Sequence, residues 1–171
     1  YNAVTNAAAL INGISYPTVK DALDAANSGD TVWVTSGTHE MNGAIKSKKL
    51  TINGSSDGTS VLSWNSEVYS GSNESERIVL NNVVLNVLTS PYQEYLDTRD
   101  LEMNNCTVNG MWIVYSNKAV FNNCVFNSIG GSECIWSSNY ANGGSDTTFN
   151  NCEFNGGKYS INVYTEQSYE E

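Results

Sequence analysis

Four segments of the chain superpose on one pattern: an apolar residue, Asn-Asn, Cys or Val, any residue, an apolar residue and Asn. They are Ile78-Val79-Leu80-Asn81-Asn82-Val83-Val84-Leu85-Asn86, Leu101-Glu102-Met103-Asn104-Asn105-Cys106-Thr107-Val108-Asn109, Ala119-Val120-Phe121-Asn122-Asn123-Cys124-Val125-Phe126-Asn127 and Thr147-Thr148-Phe149-Asn150-Asn151-Cys152-Glu153-Phe154-Asn155. Successive copies are offset by 23, 18 and 28 residues. These offsets are too irregular for a strict solenoid but close to one coil of stacked strands, with loops of different length absorbing the difference.

The pattern dictates three apolar columns. Leu80, Met103, Phe121 and Phe149 share one register, Val83, Cys106, Cys124 and Cys152 a second, and Leu85, Val108, Phe126 and Phe154 a third. Stacked at the ~4.8 Å spacing of paired strands, they bury a continuous interior that no single coil could bury alone. The Asn-Asn step between apolar positions marks a bend, because Asn tolerates the left-handed conformation and bonds its own backbone. One Asn of each pair is expected to join an inward amide ladder and the other to stay outside. Lys49-Leu50-Thr51-Ile52-Asn53-Gly54 reads as a degenerate first member. Further strand material is expected at 112–115, 134–136 and 161–164, with the Ser-, Gly- and Asn-rich tracts 65–75 and 137–146 as protruding loops.

At the amino end, Asn12-Gly13 between short apolar runs signals a hairpin. Thr18, followed three residues on by Asp21 and stopped by Gly29, predicts a helix over 19–27 with Val19, Ala22, Leu23 and Ala26 as its apolar stripe. Thr31-Val32-Trp33-Val34 follows as the first core strand. The stretch from Asn12 through Ala26, then Ser28-Gly29-Asp30-Thr31-Val32-Trp33-Val34 and Gly37-Thr38, resembles the opening of pectate-lyase-like β-helix proteins. The resemblance implies an amphipathic helix plugging a barrel of coils. The expected fold is all-β: a single-stranded right-handed parallel β-helix with an N-terminal hairpin and a capping α-helix. One domain spans 1–171, with the hairpin at 1–16, the helix at 17–28, coils over 30–164 and an acidic tail at 165–171. Beginning at Tyr1 rather than Met, it reads as a processed chain or a piece of a longer one.

Charge narrows the partners. With 18 acidic and 8 basic residues the net charge is -10, a field that repels nucleic acid and anionic membrane surfaces. No apolar window approaches the roughly 18 residues of a membrane span. The four cysteines lack the spacing of a zinc knuckle or redox dithiol, and three share one repeat position, as small core residues would. That usage fits folding in a reducing compartment.

Catalysis on such a scaffold needs a row of charged side chains along one sheet. The best cluster is Glu94, Asp97, Arg99, Asp100 and Glu102, in which Asp97, Arg99 and Asp100 are the weak candidates for glycosidic acid-base or lyase chemistry. A solvated, charge-mixed turn explains the same residues. The Asp-Asp and Gly-His-Gly patterns of polygalacturonase-like enzymes and the Asp-rich ladder of Ca2+-dependent pectate lyases are absent. His39 is expected in a turn after the first strand. Aromatics outside the repeat offer recognition faces for sugars or proteins, with Tyr92, Tyr95, Trp112, Tyr115, Trp136 and Tyr140 as the candidate binding residues. Stacking that merely stabilises neighbouring coils is the competing explanation.

The expectation is therefore a non-enzymatic structural or recognition module of a virus particle, a phage head decoration or tail appendage. It would contact neighbouring proteins or surface glycans through loops and need no cofactor or metal. Two alternatives are a bacterial cell-surface adhesin domain and a fragment of a polysaccharide lyase or glycoside hydrolase. Neither nucleic acid nor membrane is an expected partner. An exposed final strand edge suggests homotrimerisation or docking on a larger assembly.

Overall fold

The computed structural model describes residues 6–41, 48–64, 68–70, 76–87, 96–98, 100–110, 112–114, 118–129, 134–138 and 146–164. For residues 64, 68–70, 96–98, 112–114, 135–138 and 162–164 it is the backbone that is described. The protein is mostly β, with parallel sheets of stacked strands compatible with a β-helix-like fold.

The chain opens with a hairpin of β1 (Ala9–Ile11) and β2 (Ile14–Tyr16), closed by Asn12 and Gly13 at φ 50° and 78°. Two successive positive φ values are what a tight hairpin turn demands, and Asn-Gly supplies them at low cost. Helix α1 (Val19–Ala25) follows. Thr18 caps it: its hydroxyl oxygen accepts from the Asp21 N–H at 3.0 Å and its O–H donates to Asp21 Oδ2. The helix ends earlier than its sequence stripe suggests, because Ala26 is already extended. Lys48 Nζ donates to the last-turn carbonyls of Leu23 and Asp24 at 2.9 and 3.1 Å, meeting acceptors that the helix leaves open.

Further strands follow, and in each of the four repeats an Asn-Asn corner separates two of them. They are β3 (Thr31–Val34), β4 (Gly37–Met41), β5 (Leu50–Asn53), β6 (Ser60–Trp64), β7 (Val68–Ser70), β8 (Ile78–Asn81), β9 (Val84–Val87) and β10 (Leu96–Thr98). Next come β11 (Asp100–Asn104), β12 (Thr107–Asn109), β13 (Trp112–Val114), β14 (Lys118–Asn122), β15 (Val125–Asn127) and β16 (Ile135–Ser138). The last three are β17 (Asp146–Asn150), β18 (Glu153–Asn155) and β19 (Ile161–Tyr164). One sheet runs β2-β1-β3-β5-β8-β11-β14-β17, parallel from β3 onward, and a second runs β4-β6-β9-β12-β15-β18. Shorter parallel sheets join β13, β16 and β19, and β7 with β10.

Register follows the repeat. Leu80, Met103, Phe121 and Phe149 pair in one row, and Leu85, Val108, Phe126 and Phe154 in another. The Phe pairs stack: Phe121 on Phe149 at 5.1 Å between centroids and Phe126 on Phe154 at 5.2 Å, with Phe121 edge-on to Phe126. Each such pair adds about 0.5–1.5 kcal/mol beyond its buried area. Helix residues Val19, Ala22 and Leu23, with Ala26 just past the helix end, belong to the same core as Val32 and Val34, at the amino end of the stack.

The bends use the second Asn of each pair. Asn82, Asn105, Asn123 and Asn151 have φ between 52° and 55°, the left-handed region. The backbone N–H groups of Asn82, Asn105 and Asn123 stay within the stack, donating to the carbonyls of Asn104, Asn122 and Asn150 at 2.8–3.0 Å. In the degenerate coil Gly54 takes this position for a different reason: an added Cβ would lie 2.1 Å from the Asn82 carbonyl oxygen.

The first Asn of each pair builds the ladder, and here one expectation is corrected. Asn81, Asn104, Asn122 and Asn150 each donate Nδ2–H to the Oδ1 of the preceding coil, beginning at Asn53, at 2.8 Å throughout. The ladder does not face inward. Its members alternate along each strand with the buried Leu80, Met103 and Phe121, so they stand on the outer side, partly solvated. A second ladder joins Asn86, Asn109, Asn127 and Asn155 at 2.9–3.0 Å.

Candidate binding cleft

Asp100, one of the weak catalytic candidates, is committed to an ion pair. Arg77 donates from Nε to Asp100 Oδ1 at 2.7 Å and from Nη1 to Glu102 Oε2 at 3.2 Å, while Asn104 Nδ2 donates to Glu102 Oε1 at 3.1 Å. The Asp100 side chain is only 8% exposed. Arg77 went unnoticed in sequence because it lies 23 residues away, and only the pairing of Ile78 with Leu101 brings it alongside. Asp97 lies on β10 in register with Tyr69. Its side chain, together with Glu94 and Arg99, falls outside the described residues.

Of the aromatic candidates, Tyr92, Tyr95, Tyr115 and Tyr140 lie outside the described residues. Trp112 and Trp136 sit on neighbouring strands one position out of register, Trp112 opposite Ile135 and Trp136 opposite Ile113. Tyr159 is half exposed, with Lys158 Nζ 5.2 Å from its ring centre.

The exposed indole of Trp33 was missed by sequence reasoning. Trp33 is 54% exposed, although Val32 and Val34 on either side are buried. Alternation along β3 turns it outward, and register places it directly beside Asn53, where the first amide ladder ends. A run of four residues rich in β-formers looks like a buried strand. The signal that identifies Trp33 is its odd position between two buried valines.

Trp33 forms one wall of an open cleft of about 410 Å3 whose lining includes Asn53, Ser55, Asn81, Asn82 and Asn105. None of the described lining residues is charged. Ladder polarity matters here. Every Nδ2 donates toward the amino end, so Asn53 Oδ1 is occupied while its Nδ2 has no partner among the described residues. The side chains of Asn82 and Asn105 likewise make no hydrogen bond among the described residues. Ser55 is held by a hydroxyl circuit: its Oγ lies 3.0 Å from Ser60 Oγ and 3.1 Å from Thr59 Oγ1, and the buried Ser60 donates to the Val34 and Thr35 carbonyls. The Asp57 carboxyl, accepting from hydroxyls of this circuit, is held below its ordinary range.

Other titratable groups are tied into the scaffold. His39 lies in β4, not in a turn, with Nε2 2.8 Å from the Thr35 carbonyl oxygen. All four cysteines are free thiols. Cys106, Cys124 and Cys152 each donate to a carbonyl of the preceding coil, of Leu80, Met103 and Phe121, at 3.4–3.5 Å. The hydrogen bond with Cys106, and then burial, push the Cys124 thiol well above the usual range, and burial pushes Cys134 and Cys152 up. Such thiols are poor nucleophiles. Among the described residues no group of three or more His, Cys, Asp or Glu could hold a metal ion, and no helix is long and apolar enough to cross a membrane.

Compared with protein-family models, curated proteins and solved structures, the chain matches none.

Proposed function

We propose that the chain is a non-catalytic recognition module whose coils form a single-stranded right-handed parallel β-helix of the pectate-lyase-like kind. The observation that carries this reading is the exposed Trp33 indole, fixed by its buried neighbours and set beside unspent amide groups. Aromatic surface that a fold leaves in water, next to polar groups with free valences, is characteristic of binding surfaces. The setting we favour is a virus particle, as a head decoration or tail appendage that touches neighbouring proteins or surface glycans. Four free thiols support folding in a reducing compartment. A domain on the bacterial cell surface is the second setting, favoured by the same cleft.

The test is a pair of measurements on neutral and acidic polysaccharides. The expected result is saturable binding with no new reducing ends and no unsaturated products. Turnover that disappears in Asp97→Asn would replace this reading with a polysaccharide-degrading one.

A further inference from the structure

We infer that the Trp33 cleft binds an uncharged sugar residue of a glycan, an inference that rests on the recognition reading above. A sugar ring offers two kinds of surface: a face of C–H groups and a rim of hydroxyls that donate and accept. The cleft matches both. The indole of Trp33 provides a flat apolar platform, more than half of it in solvent. Beside it stands Asn53, with the hydroxyl of Ser55, and farther along the cleft, two and three coils from the indole, come Asn82 and Asn105, where further sugar residues of the same glycan would lie; these amides have hydrogen-bonding capacity unspent among the described residues. Asn53 provides the most directed group, since the ladder engages its Oδ1 and leaves Nδ2 as the terminal donor on the Trp33 side.

Charge selects the class of sugar. A uronate or other acidic sugar calls for a cation, and the described lining residues include none, on a chain whose net charge is -10. No described lining residue is a carboxylate either, and Asp57, close to Ser55, is engaged by the hydroxyls of the Ser55 circuit. A peptide added as a strand is disfavoured by the pairing, because β5 is bonded to β3 on one side and β8 on the other and offers no free edge. The volume of about 410 Å3 lies in the range of small-ligand sites.

The platform is also rigid. Trp33 is held by parallel pairing to β5, and on the other side Leu10 of β1 is its antiparallel partner. Ser55 is fixed through Ser60 to the backbone of Val34 and Thr35. Little backbone ordering is left to oppose binding.

The experiment titrates the intact, isotopically labelled protein with malto-, cello-, manno- and chito-oligosaccharides, with polygalacturonate and a proline-rich peptide as comparators. The readouts are the Trp33 indole N–H and the Asn53 side-chain amide signals in nuclear magnetic resonance. At least one neutral series is expected to shift both saturably, and Trp33→Ala to weaken that binding about tenfold or more without moving the thermal melt. Trp33→Phe, which keeps a flat ring, is expected to retain part of the affinity and serves if the alanine variant fails to fold. Preference for polygalacturonate or the peptide, no response to any neutral series, or neutral-sugar binding that leaves Trp33 unmoved would each overturn the inference. The last of these leaves the recognition reading standing, whereas polysaccharide turnover removes that reading itself.

Discussion

Asn53 and Trp33 are register neighbours on adjacent parallel strands, so the amide ladder that runs along one side of the protein ends beside an exposed indole. The ladder is therefore both a structural spine and the edge of the cleft. Breaking it in the middle separates those two roles. Asn104 both donates to Asn81 and accepts from Asn122, each at 2.8 Å. Asn104→Ala is expected to lower stability by about 1–3 kcal/mol, since it strands one donor and one acceptor in a partly buried row. Urea denaturation measures this; Trp33 lies three coils away, and any change in glycan binding is expected to be confined to Asn81 and Asn105, the cleft residues next to the break.

Gly54 tests the close approach of coils next to the cleft. With the Asn82 carbonyl oxygen 2.1 Å from where a Cβ would stand, Gly54→Ala cannot be absorbed by a side-chain rotation. A loss of more than about 3 kcal/mol, or failure to fold, is expected from such backbone overpacking. Gly58→Ala is the control for a loop glycine: its φ of +74° adds strain, but nothing lies within 4 Å. A Gly54→Ala protein as stable as wild type would show that the two coils sit farther apart.

The aromatic column concentrates stability at the carboxyl-terminal half. Phe121 is fully buried, stacks on Phe149 and meets Phe126 edge-on. Phe121→Ala is expected to cost about 3–5 kcal/mol and Phe121→Leu markedly less. Phe149, only partly buried, is expected to cost less than Phe121 on truncation, and calorimetric melts of the three variants give the order.

Three of the four thiols make stability fall in alkali, while Cys106, lowered by its hydrogen bond with Cys124, acts the other way. Because the folded Cys124, Cys134 and Cys152 resist ionisation, their contribution is complete below the unfolded thiol value of about 8.5 and is lost as pH rises above it. Each resistant thiol steepens the loss by up to about 1.4 kcal/mol per pH unit. Melting temperature measured from pH 8 upward should fall less steeply in Cys134→Val, because burial raises that thiol and it stands outside the pair of Cys106 and Cys124. An unchanged slope would mean that Cys134 titrates alike in the folded and unfolded chain.

Arg77 and Asp100 form a pair between consecutive coils, with side chains 17% and 8% exposed. Asp100→Asn is expected to destabilise by about 1.5–3 kcal/mol by weakening a charged hydrogen bond. Catalytic participation of Asp100 would instead appear as lost polysaccharide turnover with stability intact.

Much of the stacking was legible because the repeat carries its own register. The apolar residue before Asn-Asn, the Cys or Val after it and the apolar residue two further on give the three columns, and the bend follows from Asn's tolerance of positive φ. Which Asn joins the ladder was not legible, nor on which side. Both Asn residues have the same chemistry; alternation with the buried residue before it stands the first outward, and the left-handed turn takes the second out of the strand. The final Asn of the repeat was visible as a recurrence, yet its own ladder depends on β12 and its neighbours running parallel in register. Arg77 and Trp33 were hidden for a related reason: each acquires its meaning from a residue one coil away, a distance that loops of unequal length set.

The most direct measurement of the stacked architecture is the distance between spin labels on one outward column. Thr31, Thr51, Val79, Glu102, Val120 and Thr148 pair successively in register. In a background with the cysteines replaced by valine, labels at Thr31 and Thr148 span five strand spacings, about 24 Å, and labels at Thr51 and Thr148 span four, about 19 Å. The expected result is two narrow distributions whose centres differ by about one strand spacing. Broad distributions, or centres that do not shorten when the label moves from Thr31 to Thr51, would contradict the stack and every site built on it.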